Sequence, residues 1–358
     1  MRVGVIGTNW GGLLVHAFAQ AGSPVVALCG QDERKTRELA ARSGIALATT
    51  SPEVLCEACD LVVVASNDAA HYAHARLALE QFGRHVLCEK PLATSTDDAL
   101  ELECVARRRP DCLSIVNFPF RHIEAFRRLQ AKLARLGPTR QVTIEWYSST
   151  IPRFAGERGV DLLRSADFGG VSHAIDLALW LSGAVPFWIQ GVTYGNPAHT
   201  LNFTLGTEHG LTCIGFRPSV ITGTWCRGRL CGDDWEASFA TTHTPDMGSE
   251  AERPAPWSER YPPWSFRFRE PIRIWRRGTA EREREETIDG DERSDPWLSA
   301  LARIAAQVLA LDRSPDSQMA SFRDGAIVQS ILGTLRGTPD EAGVYVVAKT
   351  DLRLPSPS

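Results

Sequence analysis

Arg2-Val3-Gly4-Val5-Ile6-Gly7-Thr8-Asn9-Trp10-Gly11-Gly12 is the stretch whose reading decides the fold. The apolar run over 2–6 reads as a buried strand, residues 7–12 as a tight turn, and 13–21 as a helix. Strand, glycine turn and helix in that order are the context that gives a Gly-x-Gly-x-x-Gly match physical content. The first glycine permits the turn and the last permits close helix–strand packing. The helix N-terminus then offers unpaired N–H groups to a phosphate. Gly7, Thr8, Asn9, Trp10 and Gly12 are therefore candidate ligands for a dinucleotide pyrophosphate. Asn9 replaces the usual middle glycine, and asparagine tolerates positive φ better than most residues. The plainer alternative is an α/β turn that binds nothing.

Outward from this turn, apolar runs recur at 25–29, 61–65, 85–88 and 112–116, separated by helical patterns at 13–21, 33–43, 70–82 and 96–108. Such alternation predicts a doubly wound parallel sheet, a Rossmann domain over residues 1–118. The second strand ends in Gly30-Gln31-Asp32-Glu33-Arg34-Lys35. An acid at the strand end would bind the ribose 2′-hydroxyl of NAD. Gly30 occupies that position and leaves room for a 2′-phosphate, with Arg34 or Lys35 to pair with it. NADP is thus the expected cofactor, with NAD possible, and Gly30, Gln31 and Arg34 line its adenosine end. Arg34 and Lys35 as solvated helix residues are the alternative. Glu89-Lys90-Pro91 follows the strand at 85–88, where Lys90 can place an ammonium beside the nicotinamide end of the same cofactor.

Beyond residue 118 the pattern changes. A helix over 123–136 and a strand over 140–146 precede a long run of strands between 187 and 290. Leu201–Leu205 and Leu211–Phe216, joined by Gly206-Thr-Glu-His-Gly210, read as a hairpin. Helical patterns follow at 297–311 and 318–335. The expectation is an α+β domain over 119–350 with a mainly antiparallel open sheet, then a flexible tail at 351–358. The run Glu281–Glu286 alternates charge and reads as a solvated hairpin strand. Residues 245–267, rich in Pro, Trp and Tyr, read as packing on the sheet, with a lid or interface loop as alternatives.

The chain has 358 residues, 43% hydrophobic and 23% charged, with net charge −4. That composition is ordinary for a globular protein and offers no basic surface for nucleic acid. No apolar run of about 18 residues could span a bilayer, and no signal-peptide pattern follows Met1, so a soluble, cytoplasmic protein is expected. The nine cysteines lack regular spacing. Cys56 and Cys59 have neither a second pair nor a histidine pair to complete a zinc site, so no metal is expected.

A second constellation is Gly169-Gly170-Val171-Ser172-His173-Ala174-Ile175-Asp176, continuing to Trp180. On a helix, His173, Asp176 and Trp180 share one face. A histidine can exchange a proton near neutral pH and a carboxylate can orient its ring; a structural His–Asp pair is the alternative. Several stretches together resemble the Gfo/Idh/MocA family of glucose–fructose oxidoreductases and inositol dehydrogenases. They are 4–11, Ser66-Asn67 with His71, 85–92 with its Glu-Lys-Pro, Asn117–His122, the Gly-Gly-x-x-His-x-x-Asp segment at 169–176, and Phe322–Gly325. The resemblance implies a nucleotide domain followed by an open-sheet substrate domain, and NAD(P)-dependent oxidation or reduction of sugars, polyols and related molecules. It adds Ser66, Asn67, His71 and Glu89 to the cofactor side, and homodimers or homotetramers through the open sheet. One departure is plain: Gly169 and Val171 stand where many members carry an acid and a glycine, and Asp167 is out of register.

The sequence therefore points to an oxidoreductase moving hydride between nicotinamide and a carbinol, carbonyl or imine carbon of a small molecule. Lys90 would stabilise the developing alkoxide, His173 would exchange the proton, and Asp176 would orient it. Arg121 would bind substrate or form a structural ion pair. The competing readings are an NAD-retaining glycoside hydrolase or lyase of the same fold, and a non-catalytic cofactor-binding protein.

Overall fold

The computed structural model describes residues 1–148, 168–195, 200–218, 224–245, 264–277, 284–290, 296–314, 318–336 and 344–345. Asp167, most of the Trp/Pro-rich stretch and the 351–358 tail lie outside the described residues. The chain divides into two compact units, one holding Met1–His122 with Leu298–Gln329 and the other holding most of the rest.

In the first unit, β1 (Val3–Ile6) leads into α1 (Gly11–Gln20), then β2 (Ala27–Cys29), α2 (Glu33–Ser43), β3 (Leu47–Thr49), α3 (Pro52–Ala58) and β4 (Leu61–Val64). There follow α4 (His71–Arg76), wound on into a wider turn over 77–81, then β5 (His85–Glu89), α5 (Thr96–Arg108) and β6 (Ser114–Asn117). β1 and β4 are buried at every residue. Near-continuous burial is what a parallel strand covered on both faces requires. Strand order runs β6-β5-β4-β1-β2-β3, all parallel. The winding reverses between β1 and β4, so the crevice at their C-terminal ends is a topological switch point. The helix limits follow the capping chemistry: Asp32, Ser51 and Ser95 each accept a backbone N–H from the first turn of α2, α3 and α5, satisfying orphan donors there.

The second unit begins with α6 (Glu124–Leu133), β7 (Gln141–Ser148) and α7 (Phe168–Ser182). Strands β8 (Pro186–Gly195), β9 (Thr200–Thr207), β10 (Leu211–Pro218), β11 (Thr224–Cys231), β12 (Trp235–Pro245), β13 (Trp264–Phe268), β14 (Ile272–Arg276) and β15 (Arg284–Ile288) follow. Val142, Ile144 and Trp146 of β7 are buried while Thr143, Glu145 and Tyr147 between them are half-buried. That is the two-residue alternation of a sheet with one covered face. α7 lies against β7 and β10 on that face. On the other, Trp225 stacks on Tyr147 with ring centroids 3.6 Å apart, and the Arg227 and Arg269 guanidiniums lie over its ring. The sheet is mainly antiparallel, β7 and β10 being the parallel pair. The 201–216 hairpin forms as β9 and β10, with Leu211 opposite Gly206. The second half of the alternating-charge run, from Arg284, opens β15, which pairs β14, and its first half lies outside the described residues.

α8 (Pro296–Leu309), β16 (Ala320–Ser321) and α9 (Phe322–Arg336) come next, and β17 (Val344–Tyr345) then pairs β8 in the second sheet. A single division at residue 118 does not describe this arrangement. β16 pairs antiparallel with β6, which places Leu298–Gln329 with the first unit. The pairing is too short to read from a two-residue strand, and its partner lies far away in sequence.

Candidate functional site

Gly7 closes β1 at φ +122°, and a Cβ there would lie 2.0 Å from the carbonyl oxygen of Ala65 at the end of β4. Only glycine fits such a turn against a backbone. The Leu13 and Gly12 N–H groups turn back to the Trp10 and Asn9 carbonyls, winding the turn into α1. The glycine that meets the strand is Gly11, where a Cβ would stand 2.9 Å from Val5 Cγ1; the spacing had picked out Gly12 for that task. A glycine-permitted turn at the switch point, leading into the N-terminus of a ten-residue helix, fits a dinucleotide pyrophosphate.

Gly30 requires a correction. It is buried, and a Cβ would lie 2.4 Å from Thr36 Oγ1 and 2.6 Å from Thr8 Cγ2. The space beside it is filled by these two threonines and is not left open. Asp32 spends its carboxylate on the Lys35 N–H that caps α2, and Gln31 is exposed. Arg34 is 72% exposed and pairs with Glu38 at 2.6 Å.

The Glu89-Lys90-Pro91 turn at the end of β5 is tied to three neighbouring strand ends. Glu89 Oε1 accepts from Trp10 Nε1 at 2.7 Å and from Asn117 Nδ2 at 2.5 Å, while Oε2 faces the Lys90 N–H at 3.3 Å. His71 Nδ1 lies 2.7 Å from the Pro91 carbonyl oxygen and Nε2 lies 3.2 Å from that of Ser66. The Lys90–Pro91 peptide is cis. Burial pushes the Glu89 carboxyl above its ordinary range; the Lys90 charge, Asn117, His71 and Trp10 pull the other way without overcoming it. Lys90 itself is half-buried. Ser66 Oγ meets His74 Nδ1 at 3.0 Å, and Asn67 caps the short 3-10 turn that follows β4 by accepting from Ala70 N–H. Neither Asn117 nor His74 was among the sequence candidates. Asn117 opens one of the stretches that carry the resemblance, but its partner is 28 residues away, so nothing local marks it as a ligand of Glu89.

Arg121, read as a substrate ligand or an ion-pair member, donates to Asp324 Oδ1 at 3.1 Å. Asp324 also accepts from the Ser321 backbone N–H and hydroxyl. Burial would raise the Asp324 carboxyl, but the Arg121 charge and the Ser321 donors outweigh it and hold the group below its ordinary range. Close by in the fold, a Cβ on Gly325 would press on Val116 and Leu92.

In the second unit, His173, Asp176 and Trp180 share one face of α7 and are buried, Asp176 almost completely. The His173 ring stacks with Trp146 at 6.3 Å and meets the edge of Trp297 at 6.0 Å. A Cβ on Gly170 would come within 3.0 Å of Phe216 and 3.3 Å of Trp146 Nε1, so this glycine permits α7 to settle on the sheet. Among the described residues no group of three or more His, Cys, Asp or Glu gathers to hold a metal, and no helix is long and apolar enough to cross a membrane.

Residues 1–118 match the oxidoreductase family with an NAD-binding Rossmann fold. Over these residues the chain is similar to the Gfo/Idh/MocA family. An oxidoreductase of Synechocystis is 28% identical over 199 residues, covering 51% of this chain and 52% of its own length. The scyllo-inositol 2-dehydrogenase (NADP(+)) of Bacillus subtilis is 28% identical over 163 residues, covering 43% and 48%. The D-glucoside 3-dehydrogenase of Escherichia coli is 29% identical over 194 residues, covering 52% and 53%. The chain thus spans about half the length of the curated relatives it matches. A UDP-N-acetylglucosamine 3-dehydrogenase of Acidithiobacillus ferrooxidans shares the fold over 94% of this chain and 96% of its own, with TM-score 0.70 and 21% identity. A levoglucosan dehydrogenase in complex with NADH does so over 93% and 95%, with TM-score 0.71 and 15% identity. The fold these structures share with the chain is a Rossmann sheet and a mainly antiparallel sheet.

Proposed function

We propose that the chain is an NAD(P)-dependent oxidoreductase acting on a carbinol, carbonyl or imine carbon of a sugar-like or biosynthetic small molecule. The observation that carries this reading is the Glu89-Lys90-Pro91 turn, hydrogen-bonded to the glycine turn at the switch point of the first sheet. A bound nicotinamide would accept or supply the hydride. Gly7, Thr8, Asn9, Trp10 and Gly12 would hold the pyrophosphate, with Ser66, Asn67 and His71 on the β4 side. Lys90 offers a cation to the oxygen that gains charge as the carbon is reduced. His173 is assigned the proton exchange and Asp176 its orientation, on the strength of their shared helix face and the family resemblance. Arg121 receives a structural role, because its guanidinium is committed to Asp324. The dehydrogenase names of the relatives support a polyhydroxylated substrate.

At the ribose end we favour NADP. Gly30, not an acid, follows β2, the Asp32 carboxylate is held by the Lys35 N–H at the α2 cap, and the Arg34–Glu38 pair is an exposed i,i+4 contact, worth about 0.3–0.5 kcal/mol. A 2′-phosphate can outbid it. The open face of the second sheet is assigned to homo-oligomer formation, to be measured by light scattering.

The test is a titration of purified protein with NADPH and NADH, followed by turnover with polyols, glycosides and their keto forms. A Kd beyond about 1 mM for both, or roughly −4 kcal/mol, overturns the reading. NADH binding about tenfold tighter than NADPH, or about 1.4 kcal/mol, overturns the NADP preference alone.

A further inference from the structure

Trp10 belongs to two structures at once. Its backbone is part of the glycine turn, where its carbonyl accepts the Leu13 N–H as α1 begins. Its indole reaches 79 residues along the chain to Glu89. The indole N–H can only donate, so the contact demands an accepting oxygen on Glu89. Glu89 is 6% exposed, and a displaced partner there is not readily replaced by water. From Glu89 the connection runs on to the Lys90 backbone N–H and to the Lys90 charge.

We propose that Trp10 is a positioning residue that transmits the filling of the glycine turn to the Lys90 ammonium through Glu89. The proposal rests on the dinucleotide site described above. Phosphate bound to the turn fixes the backbone over Thr8–Gly12. The indole moves with that backbone, Glu89 follows its buried donor, and the Lys90 side chain starts from a backbone whose N–H is held by the same carboxylate. The substrate end of the site would then be set only when the phosphate end is occupied.

The experiment uses the full chain and ADP, which carries the pyrophosphate but neither the nicotinamide nor its ribose. Acetylation of Lys90 is followed by mass spectrometry with and without saturating ADP. In the native protein ADP changes the Lys90 rate about fivefold or more, the low end of coupling between linked sites. In Trp10→Phe, which keeps an aromatic ring but lacks the N–H, that change vanishes at ADP concentrations that saturate the variant. Turnover with either dinucleotide falls about tenfold, as for loss of one hydrogen bond to a charged group. An ADP effect retained in Trp10→Phe overturns the proposal, and so does its absence in the native protein. Glu89→Gln, nearly isosteric, must lose the ADP effect as well, and stands in if Trp10→Phe does not fold. Failure of native protein to bind any dinucleotide is a separate result, read in the binding titration, and strikes the functional reading itself.

Discussion

Alanine at Gly7 would have to hold φ near +122° with its Cβ 2.0 Å from a carbonyl oxygen. Neither side of that clash is a flexible side chain, so the β1 and β4 ends must part. We expect Gly7→Ala to lose about 2–4 kcal/mol, the range of severe single substitutions, read as a lower urea midpoint, and to lose dinucleotide binding with it. Lys90→Met keeps much of the stem and removes the charge. Its turnover should fall by roughly 10² or more, as for one transition-state stabiliser, with dinucleotide Kd little changed; near-normal turnover would remove Lys90 from the site. His173→Asn should lose about 10² to 10⁴ in rate at nearly unchanged melting temperature, and a large drop in melting temperature with normal rate would make it structural. At this scale the sequence was legible where a residue type is demanded by its own neighbours, as at Gly7 and in Glu-Lys-Pro. It was silent on the Trp10–Glu89 contact and on the threonines filling the space at Gly30, because those depend on which side chains the fold brings together.

Elements were legible where the caps state their ends. α2 and α5 occupy 33–43 and 96–108 as the pattern predicts, with Asp32 and Ser95 as caps. Ser95→Ala should cost about 0.5–2 kcal/mol, seen as a downward shift of the urea midpoint without change in its slope. The stretch at 70–82 reads as one helix yet forms a 3-10 turn, α4 and a wide turn, since hydrophobic spacing does not distinguish these hydrogen-bond periods. β3 is three residues long and half-buried on the sheet edge, too short for a period to show. β16 is shorter still, and its pairing with β6 could not be foreseen from Ala320 and Ser321 alone.

For the whole molecule, acid stability follows from carboxyls displaced in opposite directions. Asp60 is held down at about 2 by the Arg2 side chain and backbone N–H, and Asp324 is held below its ordinary range. Both bind protons less readily folded than unfolded. Their contribution is present above about pH 4 and lost as pH falls below it. Glu89, raised by burial, acts in reverse and costs stability as pH rises through the carboxylate range. Asp324→Asn should therefore flatten the fall in urea midpoint between about pH 4 and 2.5; an unchanged slope would show that the Arg121 pair does not contribute.

The closure of the first sheet has a consequence for how the protein is made. Among the described residues β6 receives its outer partner from Ala320 and Ser321 alone, and Arg121 waits 203 residues for Asp324. On the ribosome, the first unit therefore emerges with a bare strand edge while the entire second sheet is still to be synthesised. Such an edge invites pairing with another nascent chain. A fragment cut at residue 118 would keep that edge permanently, and its failure would show first as aggregation.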